Sequence, residues 1–367
     1  MEDMVVGSRS RAERRADTKS EKPRLLVTGA EGYIGYVLSA RLLKSGYSVV
    51  GADTGFYTQG MLYHDGCDRP VTLCRDTRRI TVDELRGFDA VIHLAELSND
   101  PLCEFDERST YNINYEGSAA LAEKAKRAGV RRFIYSSSCS IYGVAENEER
   151  TETSPIEPQT AYARCKVLVE RDVAALADRN FIPTFLRNAT AFGASPRMRF
   201  DIVLNNLAGL AWTTRCIRMT SDGTPWRPLV HVEDICDAII ACLEAPEEAV
   251  ANEVFNVGDD SQNYRIREIV DAVATVFPGC SVAIGSNNGD NRSYRVSFQK
   301  IRKHLPNFRC RWNIQNGAEQ LRRVFDQVGM TEQVFTAPPF TRLRQLKYLL
   351  ETKQLEPDLY WRANDLS

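Results

Sequence analysis

Thr28-Gly29-Ala30-Glu31-Gly32-Tyr33-Ile34-Gly35 stands between an apolar run, Leu25-Leu26-Val27, and a segment where Ile34, Val37, Leu38 and Leu42 recur at helical spacing. A strand, a glycine turn and a helix in that order make a cradle for a diphosphate. Gly29 permits a tight turn, Gly32 lets backbone approach a pyrophosphate, and Gly35 lets helix and strand pack closely. The anion would rest on the positive end of the helix. Gly46 stops that helix, and a Val-rich strand over 47–52 follows, closed by Asp53. An acidic side chain there accepts hydrogen bonds from adenosine ribose hydroxyls and repels a 2′-phosphate, which favours NAD over NADP.

Outward from the turn, strand and helix patterns alternate. Strands are expected over 24–28, 89–94, 130–137 and 181–187, and helices over 114–128 and 161–178. Such alternation predicts a doubly wound parallel α/β sheet with helices on both faces. Beyond Arg187 the alternation weakens. Residues 1–22 read as a disordered leader, 23–187 as the dinucleotide-binding domain with 229–258 returning to it, and 188–228 with 259–367 as a smaller, mixed α/β substrate lobe.

Lys plus Arg number 47 against 49 Asp plus Glu, a net charge of −2, so charge gives no case for nucleic acid or an anionic membrane. The ten cysteines are scattered without a C-x-x-C pair and the histidines are only four, so no metal site is expected. With no apolar h-region and no apolar run of transmembrane length, the expectation is a cytoplasmic protein with reduced cysteines.

Tyr162 and Lys166 form Y-x-x-x-K, which puts both side chains on one face of a helix. An ammonium beside a phenol lowers its pKa, so Tyr162 is expected to serve as a general acid/base at neutral pH. A strand ending in Ser136-Ser137-Ser138 lies upstream, at the sheet edge where ligands bind, and offers a hydroxyl to the reacting oxygen.

With these motifs in this order the sequence resembles the NAD-dependent epimerase/dehydratase family of extended short-chain dehydrogenases, over roughly residues 24–300. The resemblance rests on the glycine turn, Asp53, His93-Leu94-Ala95, Ser136-Ser137-Ser138-Cys139-Ser140-Ile141-Tyr142-Gly143, Tyr162 with Lys166, and Arg227-Pro228-Leu229-Val230-His231-Val232-Glu233-Asp234. It implies a Rossmann-type sheet, an NAD cofactor held also by Tyr33, Ile34, Asp76, Thr77, Leu94 and Ala95, and a nucleotide-diphosphate sugar as substrate. It further implies that Ser138 bonds the sugar hydroxyl, that Tyr162 moves its proton, and that Lys166 holds the nicotinamide ribose. Ser140, Asn188, Asn205, Arg227 and Arg292 fall where relatives grip the substrate, and arginine suits a diphosphate through its fork of donors.

The implied first step is hydride transfer from the sugar, commonly from carbon 4, to NAD. Epimerisation at carbon 4 is the leading expectation, with a 4-keto reductase or a dehydratase as the alternative and a non-catalytic NAD sensor as a remote third. Family 4,6-dehydratases usually carry Asp-Glu after the hydroxyl residue, where this chain has Cys139-Ser140. Cys139 is an acid/base candidate if its pKa is lowered, and otherwise a packed thiol. Glu96 is either a second acid/base or a partner in a salt bridge or hydrogen bond. His231 reads as structural, and the tail around Tyr348, Leu349, Leu350, Tyr360 and Trp361 as packing. The helices over 114–128 and 161–178 form dimer bundles in relatives, so a homodimer is expected by analogy.

Overall fold

The computed structural model describes residues 22–98, 100–285 and 292–362. The expected leader lies outside them except for Lys22, whose ammonium sits 4.4 Å over the Tyr47 ring. Seven parallel strands form the main sheet: β1 (Arg24–Thr28), β2 (Ser48–Asp53), β3 (Val71–Cys74), β4 (Ala90–His93), β5 (Arg132–Ser138), β6 (Ile182–Asn188) and β7 (Glu253–Val257). Their order, β7-β6-β5-β4-β1-β2-β3, reverses direction at β1, and the turn after β1 opens into that crevice. The central strands β1 and β4 are near-continuous apolar runs because both their faces are covered, whereas β3 is an exposed edge.

One face packs on α1 (Tyr33–Lys44), where Leu38 and Leu42 are fully buried. The other packs on α2 (Ser118–Ala128) and α3 (Ala161–Ala174), through Leu121, Ala125, Val169 and Val173. The helix ending at Ala128 begins earlier than expected. Asp106 caps Glu107–Thr110, and a wide turn over Tyr111–Gly117 joins this to α2. Within that turn the Asn114 side chain accepts from Leu97 N and donates to Leu97 O, both at 2.8 Å.

A second core lies beyond β6, around Phe192, Leu204, Ile269, Leu321 and Phe325. It is built on α4 (Val203–Thr214), α6 (Ile266–Val276) and α7 (Ile314–Gln327), between which α5 (Val232–Glu244) returns to pack on α1. Trp226–His231, which leads into α5, pairs with Thr190–Phe192 and Asn263–Arg265 in a separate three-stranded sheet. The chain then crosses back as α8 (Arg342–Glu351), whose Leu346 and Leu349 are buried with Phe56 and Leu97.

Candidate active site

A cavity of about 670 Å³ runs along the carboxyl edge of the main sheet, between the sheet and the second core. All five expected residues of the glycine turn and helix start, Gly29, Gly32, Tyr33, Ile34 and Gly35, line it. Gly29 has φ of +73° and donates to Ala52 O at 2.8 Å. A Cβ on Gly35 would lie 2.0 Å from Gly29 O, so only glycine lets α1 approach the turn. No side chain caps α1 at Gly32, which leaves its first backbone N–H groups to a ligand. A diphosphate fits such a cradle.

Asp53 lines the cavity and accepts from Glu31 N at 3.0 Å and Gly55 N at 2.8 Å. Burial pushes its carboxyl up from the usual range, against those two N–H groups. Asp76 and Thr77 line the same end, with Asp76 paired to Arg78 at 2.6 Å. Leu94 and Ala95 also line the cavity. Behind them His93 is wedged between Thr28 Oγ1 at 2.7 Å and Ser118 Oγ at 2.8 Å. Burial pulls its pKa down to about 3, so it is a neutral strut.

At the other end Thr160 caps α3 by accepting from Ala163 N, and the helix presents Tyr162 and Lys166 to the cavity. Lys166 donates to Ser136 O and pairs with Glu96 Oε2 at 2.5 Å. Glu96 also accepts from Tyr135 Oη at 2.6 Å and from Ser118 Oγ at 3.3 Å. Its two roles foreseen from sequence resolve here into the ion pair. Burial acts to lower the lysine pKa, but Glu96 and Tyr162 outweigh it and hold Lys166 protonated.

The expectation of an acidified phenol is corrected. Burial raises the Tyr162 pKa above its ordinary value, Lys166 lowers it less, and Glu96 adds to the rise. An ammonium already matched by a carboxylate gives a neighbouring phenol less help than a bare one.

The three serines at the end of β5 are separated by the pleat. Ser136 Oγ accepts from Asn188 Nδ2 at 3.0 Å, Ser137 Oγ donates to Glu170 at 2.5 Å, and Ser138 faces the cavity while accepting from Ser140 N at 3.1 Å. Ser140 Oγ and Asn188 Oδ1 line the cavity, buried and without a hydrogen-bond partner, as groups awaiting a polar ligand are. Arg227 and Arg292 line it too, joined by a bond from Arg227 Nη1 to Arg292 O, with Arg292 paired to Asp100.

Two expected site residues are not brought to the cavity. Cys139 is 1% exposed, its thiol donates to Arg187 O at 3.1 Å, and burial pushes its pKa far up. It is a packed thiol at the start of the buried helical turn Cys139–Tyr142 that follows β5. Asn205 is fully buried, accepts from Gly193 N at 2.9 Å and donates to Arg199 O at 3.1 Å. It ties the 193–199 loop to α4, and the next residue, Asn206, lines the cavity instead. His231 is structural, as read: it caps α5, bonds Gln320 at 2.9 Å and stacks on Trp312 at 4.0 Å.

Sequence reasoning missed Arg199, held by Asp201 through bonds of 2.9 and 3.2 Å, and Arg342 of α8, both on the cavity wall. Neither belongs to a motif; only the fold brings them there.

A model of the NAD dependent epimerase/dehydratase family matches residues 25–258. A UDP-glucose 4-epimerase of Bacillus subtilis (strain 168) is 27% identical over 289 residues, 69% of this chain and 81% of that protein. Among solved structures, MoeE5 in complex with UDP-glucuronic acid and NAD matches with a TM-score of 0.73 at 26% identity, over 83% of this chain and 99% of that one. TunA, an NAD dependent NDP-hexosamine 5,6-dehydratase involved in tunicamycin biosynthesis, shares the fold with a TM-score of 0.74 at 22% identity, over 83% and 98% of the two chains.

Proposed function

The chain belongs to the NAD dependent epimerase/dehydratase family, and on that footing we propose that it is an NAD-dependent nucleotide-sugar epimerase acting at carbon 4. The observation that carries this reading is the meeting of Tyr162, Lys166 and Ser138 in the cavity that the glycine turn also lines. The chemistry that NAD would supply there is reversible hydride exchange with the sugar carbon, on either face of the keto sugar. The backbone N–H groups of α1 and the Asp53 carboxylate hold the dinucleotide, and Lys166 meets its nicotinamide ribose. Tyr162 Oη takes the proton of the sugar hydroxyl and gives it back, while Ser138 Oγ holds the same oxygen. Ser140, Asn188, Arg227 and Arg292 take the remainder of the nucleotide-diphosphate sugar.

Cys139 bears on the alternatives. A 4,6-dehydratase, with carbon 4 oxidised, takes a proton from carbon 5 and expels the carbon-6 hydroxyl as water. That needs an added acid/base pair after the hydroxyl residue, and a thiol packed against Arg187 supplies none. A 4-keto reductase or a 5,6-type dehydratase remains the alternative reading, and the assay separates them. Incubation with UDP-, GDP-, CDP- and dTDP-sugars is expected to give a product of unchanged mass with no net reduced cofactor. A reductase would consume reduced cofactor one for one, and a dehydratase product would be lighter by one water. Tyr162→Phe should abolish turnover and keep NAD; full activity in that variant would overturn the mechanism.

We infer two units, 23–187 with 229–258 for the cofactor and 188–228 with 259–367 for the substrate, in a cytoplasmic homodimer. No helix among the described residues is long and apolar enough to cross a membrane, and all ten cysteines are unpaired. The neighbouring α2 and α3 on one sheet face support pairing through those helices. Light scattering that gave the mass of a single chain would contradict the dimer.

A further inference from the structure

The segment from Pro338 onward lies outside the stretch matched by the family model, yet it reaches back over the cofactor end of the cavity. Gln345 Nε2 donates to Phe56 O at 3.1 Å, and Trp361 Nε1 to Thr54 O at 2.6 Å. Arg78, beside Asp76, donates to Asp358 O at 2.9 Å and lies 3.7 Å over the Tyr360 ring. The strap thus fastens onto the loops that follow Asp53 and Asp76.

Arg342 begins the helical part of this strap. It is 4% exposed and lines the cavity. Its backbone N donates to Asp201 at 3.1 Å, and its guanidinium lies 4.1 Å over the Tyr57 ring. Among the described residues the guanidinium meets no hydrogen-bond or ion-pair partner. The nearby carboxylates are engaged elsewhere: Asp201 by Arg199, and Asp53 by the N–H groups of Glu31 and Gly55. A guanidinium so deeply buried with no carboxylate in direct contact is costly unless an anion completes the site. Burial and the neighbouring Arg199 draw its pKa down to about 10, against the opposing pull of Tyr57, Asp201 and Asp53.

Position identifies the anion. Asp53 at the adenosine-ribose end feels Arg342, and Arg199 feels Tyr162 at the reacting end. A dinucleotide stretched between those ends places its diphosphate between them, over the open N-terminus of α1. We propose that Arg342 is the cationic half of a diphosphate clamp that the C-terminal strap closes on NAD, opposite the backbone N–H groups of the glycine turn. The inference rests on the reading of the cavity as an NAD site. The substrate's own diphosphate goes to Arg227 and Arg292, further along the cavity.

The test is calorimetric titration of the full chain, stripped of nucleotide, as wild type, Arg342→Met and Arg342→Lys, with NAD, ADP-ribose, adenosine and UDP. In Arg342→Met, NAD and ADP-ribose should each bind roughly 10- to 100-fold more weakly, the loss expected for a charge-assisted phosphate contact. Arg342→Lys should fall between, since a point charge replaces a fork. Adenosine and UDP should hold within about threefold, the scatter of context effects. Unliganded Arg342→Met should melt no lower than wild type, because an uncompensated buried charge has gone. Unchanged NAD affinity would overturn the clamp; so would loss of UDP affinity in place of NAD affinity, or an equal fall for adenosine. Wild-type protein that took up no NAD would overturn the parent reading and the clamp together.

Discussion

At Tyr162 three influences compete: burial raises the phenol pKa, Lys166 lowers it, and Glu96 raises it again, with Asp100 and Cys103 adding smaller pushes upward. The base form is the phenolate, so a raised pKa means that kcat/KM climbs with pH through neutrality into the alkaline range. Glu96→Gln removes a negative charge and frees Lys166 to act on the phenol. The rising limb should then move to lower pH by about one unit, the low end of what one nearby charge does. Glu96 is therefore a positioning residue that acts through Lys166, and a pH–rate profile with the limb unmoved or shifted upward would contradict that role. Tyr162→Phe, with the proton carrier gone, should lose about 10²- to 10⁴-fold in kcat while its NAD content after purification stays that of wild type. Both residues stood out in the sequence, Tyr162 through its spacing to Lys166 and Glu96 through its place after His93-Leu94-Ala95. Their coupling did not, because it depends on β4 and α3 meeting across the sheet edge.

At the scale of elements, α1 shows how the same substitution means different things at its two ends. Gly35→Ala would put a methyl group 2.0 Å from Gly29 O, so strand and helix must part. A loss of about 3 kcal/mol or more in urea denaturation is expected, the upper range for overpacking, together with loss of NAD binding. Gly46→Ala meets only the Lys22 side chain at 3.9 Å, and its burden is a φ of +84°. That should cost about 1 kcal/mol and leave NAD binding intact. Equal stability of the two variants would contradict the account of the turn. Strands β1, β2 and β4 were legible because burial on both faces makes them unbroken apolar runs. Val71–Cys74 was not: it is an exposed edge strand of four residues with no apolar period. The widened turn at Tyr111–Gly117 was hidden as well, since no residue pattern marks it and the Asn114 contact with Leu97 depends on the fold.

Over the whole molecule, the half of the site that the glycine turn, Asp53 and the Ser, Tyr and Lys motif build could be read from residue order alone. The other half comes from α4, the 193–201 loop and the C-terminal strap, where side chains converge from segments with no shared pattern. That is why Asn205 was expected at the site though it lies buried off the cavity, and why Arg199 and Arg342 went unseen. Both halves serve one claim, that the cleft oxidises a nucleotide sugar at carbon 4 and restores it with inverted configuration. The most direct test supplies the purified protein with UDP-glucose carrying deuterium at carbon 4 and follows the sugar by NMR and mass spectrometry. The predicted result is the carbon-4 epimer at unchanged mass, with the deuterium still on carbon 4 and no net reduced nicotinamide. A product lighter by one water, or deuterium accumulating on the cofactor in step with product, would contradict it.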